Sequence, residues 1–421
     1  MLLETRGVRV SLRFPDGFTW GVSTSSYQIE GGNEAADWHA WERAGKVDPA
    51  GRACDSWNRF ERDVDLVVEL GLSAYRISLE WSRIEPEPGR FEEAAIARYA
   101  DWLAYARSRG LRTMLVLWHF TNPVWLTEKG AWLSPEAPVH FEAFVRKVVP
   151  VLAPHVDDWA TLNEANTYAN HGWITGEWPP GRRLDYPGGF RAYDGLAEGH
   201  RRARAAIKEL LGEATPVGLT HVLSWAHPAG RWGALSVPCM RFWEWLGITR
   251  FLDRVAGDID WLGVQYYHDA PCRPIGMDLD DGNPPRTDMG WRICPEGIYH
   301  AVMFAHRRYG VPLLLTENGL ADAEDAQRGR FLLDHLAWLR RALDEGADLR
   351  GYYHWSLLDN YEWAYGYEPR FGLVAVDYDT CERAIRPSGR LYAEIASANA
   401  LPEGLRPDLR YADGTPSLAP R

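Results

Sequence analysis

The sequence predicts an α/β fold, a single (β/α)8 TIM barrel with its functional groups at the carboxyl ends of the strands. Three observations predict it. Eight short runs, apolar or rich in β-favouring residues, recur along the 421 residues. Helical stripes closed by glycine lie between them, and no Ser/Gly linker, low-complexity tract or short repeat divides the chain. Strands buried on both faces read as continuous apolar runs, as a parallel sheet covered by helices requires. Strand and helix alternating through one chain fit a closed parallel barrel, which often exceeds about 250 residues as one domain.

In chain order the predicted strands are FTWGVST (18–24), AYRISL (74–79), RTMLVLW (112–118), WATLNE (159–164), PVGLTHVL (216–223), WLGVQYY (261–267), PLLLTE (312–317) and GYYHWSL (351–357). Over 56–70, Phe60, Val64, Val67 and Leu70 form one helical stripe, and Gly71 ends it. Ile96, Tyr99, Leu103 and Ala106 do the same over 94–109 before Gly110. Ser134-Pro135 predicts an N-cap followed by proline at the first helical position. Phe331, His335, Leu339 and Leu343 align before Gly346. The longer irregular stretches (30–55, 166–190, 224–245, 268–296, 358–390) mostly follow strands, so they are expected on the carboxyl face, where barrel active sites lie. Residues 1–13 and about 400–421 are expected to be peripheral.

Composition narrows the function. Twenty-one Trp and nineteen Tyr exceed what core filling alone needs, and aromatic faces with a polar tip suit the C–H faces of sugar rings. A net charge of −12 without a Lys/Arg block speaks against nucleic acid as a partner. No run of about 18 apolar residues exists, so no membrane span is expected. The opening MLLETRG has only a three-residue apolar start before Glu4, which is not a secretory signal. The five Cys make no CxxC pair, and an odd count fits reduced thiols; there is no N-x-S/T sequon, so a cytoplasmic enzyme is expected. The 13 His show neither HxH nor HExxH spacing, and no GxGxxG occurs, so neither metal nor organic cofactor is expected. Oligomeric state is not legible.

Two stretches carry the chemistry. WATLNEAN (159–166) and LLLTENGL (313–320) each bring a carboxylate, Glu164 and Glu317, to the end of a buried strand. One such Glu alone is more often an ion-pair partner. Two, closing strands four and seven of a barrel, project toward a common mouth. Carboxyl groups about 5–5.5 Å apart hydrolyse a glycosidic bond with retention, one as nucleophile and the other as acid then base. Spacing alone does not say which is which.

From about Phe18 to Asp377 the chain resembles the family 1 glycoside hydrolases, the β-glucosidase family. The motifs are FTWGVSTSSYQIEG, YRISLEWSRIEPEPG, TLNE, GVQYY, LTENG and HWSLLDNYEWAYGYEPRFGLVAVD, in that order. The resemblance implies that Glu317 is the nucleophile and Glu164 the acid/base. It implies Arg76, at the end of strand two, beside the nucleophile, where a guanidinium would hold the carboxylate ionised. Tyr267 matches a tyrosine that hydrogen-bonds the nucleophile, and Asn163 an amide that contacts the sugar 2-hydroxyl. Gln28, His119, Glu362 and Trp363 match the sugar-recognising residues, with Trp355 as floor. Alone, Gln28 would be an unremarkable polar residue, His119 a satisfied core histidine and Glu362 a solvated loop charge.

Relatives acting on 6-phosphorylated sugars replace the Glu at 362, and an acidic residue there would repel a phosphate. With Glu362 kept and Glu368 in place of a lysine, unphosphorylated β-glucosides or short oligosaccharides are the expected substrates. Three departures from the family pattern bear on specificity: Ala165 for proline, Phe120 for tryptophan after His119, and Gln265 for asparagine near the 2-hydroxyl. The chain is short for the family, so loops at the aglycone entrance are expected to be trimmed. β-Galactosidase, β-fucosidase and transglycosylase remain open alternatives. A non-catalytic sugar-binding barrel is a remoter one, since such relatives usually lose a catalytic carboxylate and both remain here.

Overall fold

A computed structural model describes residues 2–5, 8–11, 13–280, 282 and 284–402. The end of the C-terminal segment expected to be peripheral, residues 403–421, lies outside the described residues, as do Met1, Arg6, Gly7 and Leu12 near the start.

Eight parallel strands close into a barrel in sequence order. They are β1 (Thr19–Ser23), β2 (Ala74–Ser78), β3 (Arg112–Trp118), β4 (Asp158–Asn163), β5 (Val217–Val222), β6 (Trp261–Gln265), β7 (Leu313–Glu317) and β8 (Leu349–Trp355). All eight predicted runs are there, most shortened at one or both ends, where the apolar run continues into the loop that leaves the barrel. The helices on the outside include α1 (Ser56–Glu69), α2 (Glu93–Ser108), α3 (Ala137–Leu152), α4 (Tyr186–Leu211), α5 (Arg250–Val255), α6 (Pro295–Tyr309), α7 (Arg328–Asp344) and α8 (Pro387–Ala398).

The predicted stripes face inward: Phe60, Val64 and Val67 of α1 are buried against the barrel, and Gly71 turns the chain with φ +65°. Burying each such side chain contributes about 1.5–3 kcal/mol, so a charge at Val64 would open this contact. One helix start differs from expectation. Ser134-Pro135 occupies a turn, with the Ser134 carbonyl accepting from Ala137 N at 3.2 Å, and α3 begins only at Ala137. A short 3-10 turn over Ala131–Leu133 uses up the chain first.

Side chains alternate along the strands. Ala74, Met114, Val116, Ala160, Trp261 and Tyr353 fill the barrel interior, while Tyr75, Ile77, Leu219, Leu262 and Val264 pack outward under the helices. Arg76, two residues beyond Ala74, therefore points into the barrel. It lies at the middle of β2, not at its end as expected, because the strand runs on to Ser78. Several loops on the carboxyl face, read as irregular, carry structure of their own. Trp225–Pro228 pairs in parallel with Asp269–Cys272, and a helical run of Gly233–Ser236, Val237–Glu244 and Trp245–Thr249 leads into α5. A small antiparallel pair joins Val374–Val376 to Arg383–Ile385. On the outer face of β1 and β8, where Tyr392 of α8 packs against Trp20 and Tyr352, its hydroxyl donates to the Gly21 carbonyl at 2.8 Å.

Candidate active site

The carboxyl face opens into a cavity of about 410 Å³. Gln28, His119, Asn163, Glu164, Tyr267, Glu317, Trp355, Glu362 and Trp363, all expected at the site, line it. Arg76 and Gln265 lie beneath, hydrogen-bonded to the lining groups.

Glu317 ends β7 and is 4 % exposed. Arg76 Nη1 donates to its Oε1 at 2.5 Å and the Tyr267 hydroxyl to its Oε2 at 2.6 Å. Arg76 Nη2 meanwhile donates to Asn163 Oδ1 at 2.6 Å and Thr220 Oγ1 at 3.1 Å. Asn163 Oδ1 also accepts from Thr220 Oγ1 at 2.8 Å and Gln265 Nε2 at 2.9 Å. With its oxygen fully engaged below, Asn163 presents Nδ2 upward, 3.2 Å from His119 Nε2. His119 is neutral, because burial and the Arg76 charge push its pKa well below the ordinary value.

Glu164 follows β4 with a left-handed backbone, φ +41°. It is buried, and its Oε1 has no hydrogen-bond partner. Burial, and then the charge of Glu317, push its pKa up to about 8, with only a bond from Thr167 and the more distant Arg76 charge opposing. Burial raises Glu317 as well, but there the Arg76 charge and bonds from Tyr267, Arg76 and Gln265 all favour the ionised form. The two carboxyls thus sit in one cavity in opposed surroundings: Glu317 gives up its proton first and Glu164 keeps its own.

The TENG turn has a packing reason. A Cβ on Gly319 would stand 1.7 Å from the Trp355 carbonyl oxygen, so only glycine lets β7 and β8 approach there. Asn318 ties three strand ends: its Nδ2 donates to the Tyr266 carbonyl at 2.7 Å, its carbonyl accepts from Trp355 N at 3.0 Å, and Tyr352 donates to its Oδ1 at 3.1 Å.

Gln28, on the short helix Ser26–Glu30, is fully buried, and its Nε2 donates to Asn360 Oδ1 at 2.9 Å, the Tyr361 carbonyl at 2.8 Å and Glu362 Oε2 at 3.2 Å. It braces the Glu362 loop as well as lining the cavity. Burial and the Glu317 charge push Glu362 up to about 8. Trp363 lies against His119 and Trp178, and Phe120 packs edge-on to Trp178 at 4.9 Å. Glu368 is exposed and away from the cavity wall. Sequence reasoning does not single out Thr220 or Asn360. Thr220 was within reach: two residues past Gly218 on β5, it faces inward beside the buried Arg76–Asn163 pair.

Residues 10–247 and 244–401 match the sequence model of "Glycosyl hydrolase family 1". The chain is 32% identical to "Beta-glucosidase A" of Thermotoga maritima, over 92% of this chain and 99% of that one. It is 30% identical to "Beta-galactosidase" of Sulfolobus acidocaldarius, over 97% of this chain and 99% of that one. Among solved structures, a "beta-glycosidase from Pyrococcus horikoshii" superposes with a TM-score of 0.87 at 36% identity, covering 95% of this chain and 99% of that one.

Proposed function

The chain belongs to glycosyl hydrolase family 1 and is a retaining β-glycosidase; from that premise we propose that it is a β-glucosidase in which Glu317 attacks and Glu164 moves the proton. The observation that carries the assignment of roles is the opposed setting of the two carboxyls: Arg76 and Tyr267 bonded to Glu317, and a proton-holding Glu164 whose Oε1 has no hydrogen-bond partner.

In the first step a Glu317 oxygen bonds to the anomeric carbon as the bond to the aglycone oxygen breaks, and Glu164 gives that oxygen its proton. The product is a glycosyl ester. Esterification removes the Glu317 charge, so Glu164 becomes the stronger acid and, now ionised, takes a proton from water. The water oxygen bonds to the anomeric carbon from the face the aglycone left, and the ester bond breaks. Two inversions give retention. Asn163 Nδ2, with its oxygen locked by three donors, is aimed at the sugar 2-hydroxyl, where a bond strengthens in the transition state.

Gln28, His119, Glu362 and Trp363 hold the sugar's outer hydroxyls, Trp355 forms the floor, and Gln265 sets the height of Asn163. Glu362 with its raised pKa can donate as well as accept, and a phosphate would have to sit beside it without the cation that binding one needs; unphosphorylated β-glycosides follow. The catalytic unit is one barrel. We assign the protein to the cytoplasm, with support from Cys54, Cys239, Cys272, Cys294 and Cys381, which are all unpaired; among the described residues no helix is long and apolar enough to cross a membrane.

The test is a panel of aryl β-glycosides differing only in the sugar, with the first-formed anomer read by proton NMR. The β-glucoside should be fastest and release β-glucose. Faster turnover of the galactoside or fucoside would replace the sugar assignment. The Glu317→Ala variant should be inactive, with azide restoring turnover to an α-glucosyl azide; a β product would remove Glu317 from the nucleophile's role.

A further inference from the structure

Two thiols on the loops that leave β5 and β6 have no part in the glycosidase chemistry. Cys239 lies in the first turn of the helix Val237–Glu244, and Cys272 ends the short strand Asp269–Cys272. The fold brings them together. Trp225–Pro228 pairs in parallel with Asp269–Cys272, and the helix packs against both strands. The chain then turns back, so that Met277 pairs with Cys272. The Cys239 thiol reaches the Gly276 carbonyl of that turn at 3.5 Å, and the Cys272 thiol reaches the Ala270 carbonyl at 3.4 Å. Each thiol is also within hydrogen-bonding reach of the other. An S–H group is a weak donor, so these contacts hold neither sulfur firmly.

Their settings differ in a way that assigns an order. Cys272 is fully buried, whereas Cys239 is partly exposed. Burial, and then Cys239 itself, push the Cys272 thiol up to about 12. Cys239 is the third residue of its helix, where backbone N–H groups favour a thiolate. One thiol can be reached and can attack; the other touches it from behind. Cys54, Cys294 and Cys381 are all buried, out of reach of a reagent in solution.

We infer that Cys239 and Cys272 form a thiol-oxidation site, closing to a disulfide at the expense of a small disulfide of the glutathione class. The Cys239 thiolate attacks one sulfur of the oxidant, whose S–S bond breaks and releases one thiolate. The Cys272 sulfur then attacks Cys239 Sγ, the mixed disulfide breaks, and the second thiolate leaves. Each departing thiolate takes up a proton that a cysteine gave up, so two thiols are oxidised and the oxidant is reduced to two thiols. The new bond joins the segment that brings Trp243 and Leu246 to the cavity wall to the segment that brings Ala270 and Met277. It would also restrict the unfolded chain and so raise stability. Neither the site nor its test uses the sugar chemistry, so it stands apart from the glycosidase reading.

The experiment incubates the unaltered protein with oxidised glutathione, quenches with iodoacetamide in denaturant and maps the tryptic peptides by mass spectrometry. Peptides 232–241 and 255–286 should appear joined, with Cys54, Cys294 and Cys381 alkylated, and dithiothreitol should separate them. The oxidised protein should melt at least about 2 °C higher than the reduced one. Cys239→Ser, a change at a partly exposed position, should lose both the joined peptides and the shift. Glutathione left on Cys239 without joined peptides, both cysteines still alkylated, or a different pair joined would overturn the inference. If the variant does not fold, the peptide map of the unaltered protein decides alone.

Discussion

Replacing Glu317 by Gln should lower the pKa of Glu164 from its value of about 8. Burial, the largest cause of that value, persists in the variant, whereas the Glu317 charge, the second, is removed. Carboxyls of a retaining pair stand about 5–5.5 Å apart. At an effective dielectric of about 20, a unit charge at that range is worth roughly 3 kcal/mol, equivalent to about two pH units. Arg76, 2.5 Å from Glu317, already offsets part of the charge, so a fall of about one to two pH units is expected. Glu164 should still titrate above the ordinary 4.5, because its cavity remains buried. The assay is a carbon NMR titration of protein labelled at Glu carboxyls, with Glu164→Gln to assign the resonance. In the unaltered enzyme the same coupling shapes turnover. Activity needs Glu164 protonated, so it is lost as pH rises through about 8. It needs Glu317 ionised, so it is also lost as pH falls through a point that burial sets above the usual carboxylate range. These limbs belong to the coupled pair and not to single residues. A Glu164 resonance that stays put or moves up in Glu317→Gln would show that the carboxyls do not share a site, and the mechanism would fall with it.

Glu164→Ala should slow poor leaving groups by roughly 10²–10⁴-fold more than activated aryl ones, which depart with little protonation; equal losses for both would mean that Glu164 is not the acid. Thr220→Val removes a donor to Asn163 Oδ1 and an acceptor for Arg76 without changing volume much. It should lower kcat on aryl glucosides about tenfold or more with little change in KM, and Thr220→Ser should restore most of it; a KM effect alone would show that Thr220 serves binding only.

By itself the sequence determined the eight-strand alternation, the two carboxylates at strand ends and most of the residues around them. The strands and the two carboxylates follow from the residue pattern, and the residues around them from the resemblance of the motifs to the family; counted from the folded barrel, period-two alternation agrees with much of it. From the interior positions Ala74, Gly218, Trp261 and Tyr353, counting in twos brings Arg76, Thr220, Gln265, Tyr267 and Trp355 to the inside of the barrel mouth. The same counting fails at the catalytic pair. Ala160 and Asn163 are three apart, and so are Leu314 and Glu317, so strict alternation would send both Asn163 and Glu317 outward. The tertiary structure reverses this with register shifts in β4 between Ala160 and Asn163 and in β7 between Leu315 and Glu317. The left-handed backbone at Glu164 then lets consecutive residues, Asn163 and Glu164, face one cavity. Such shifts arise where neighbouring strands stop matching step for step around a closed, twisted barrel. They depend on the partner strand, which no local stretch of sequence contains. The same limit applies to proton affinity: Glu164 and Glu317 are alike as letters, and only the positions of Arg76 and Tyr267 in the folded barrel make one the base-poor acid and the other the anion.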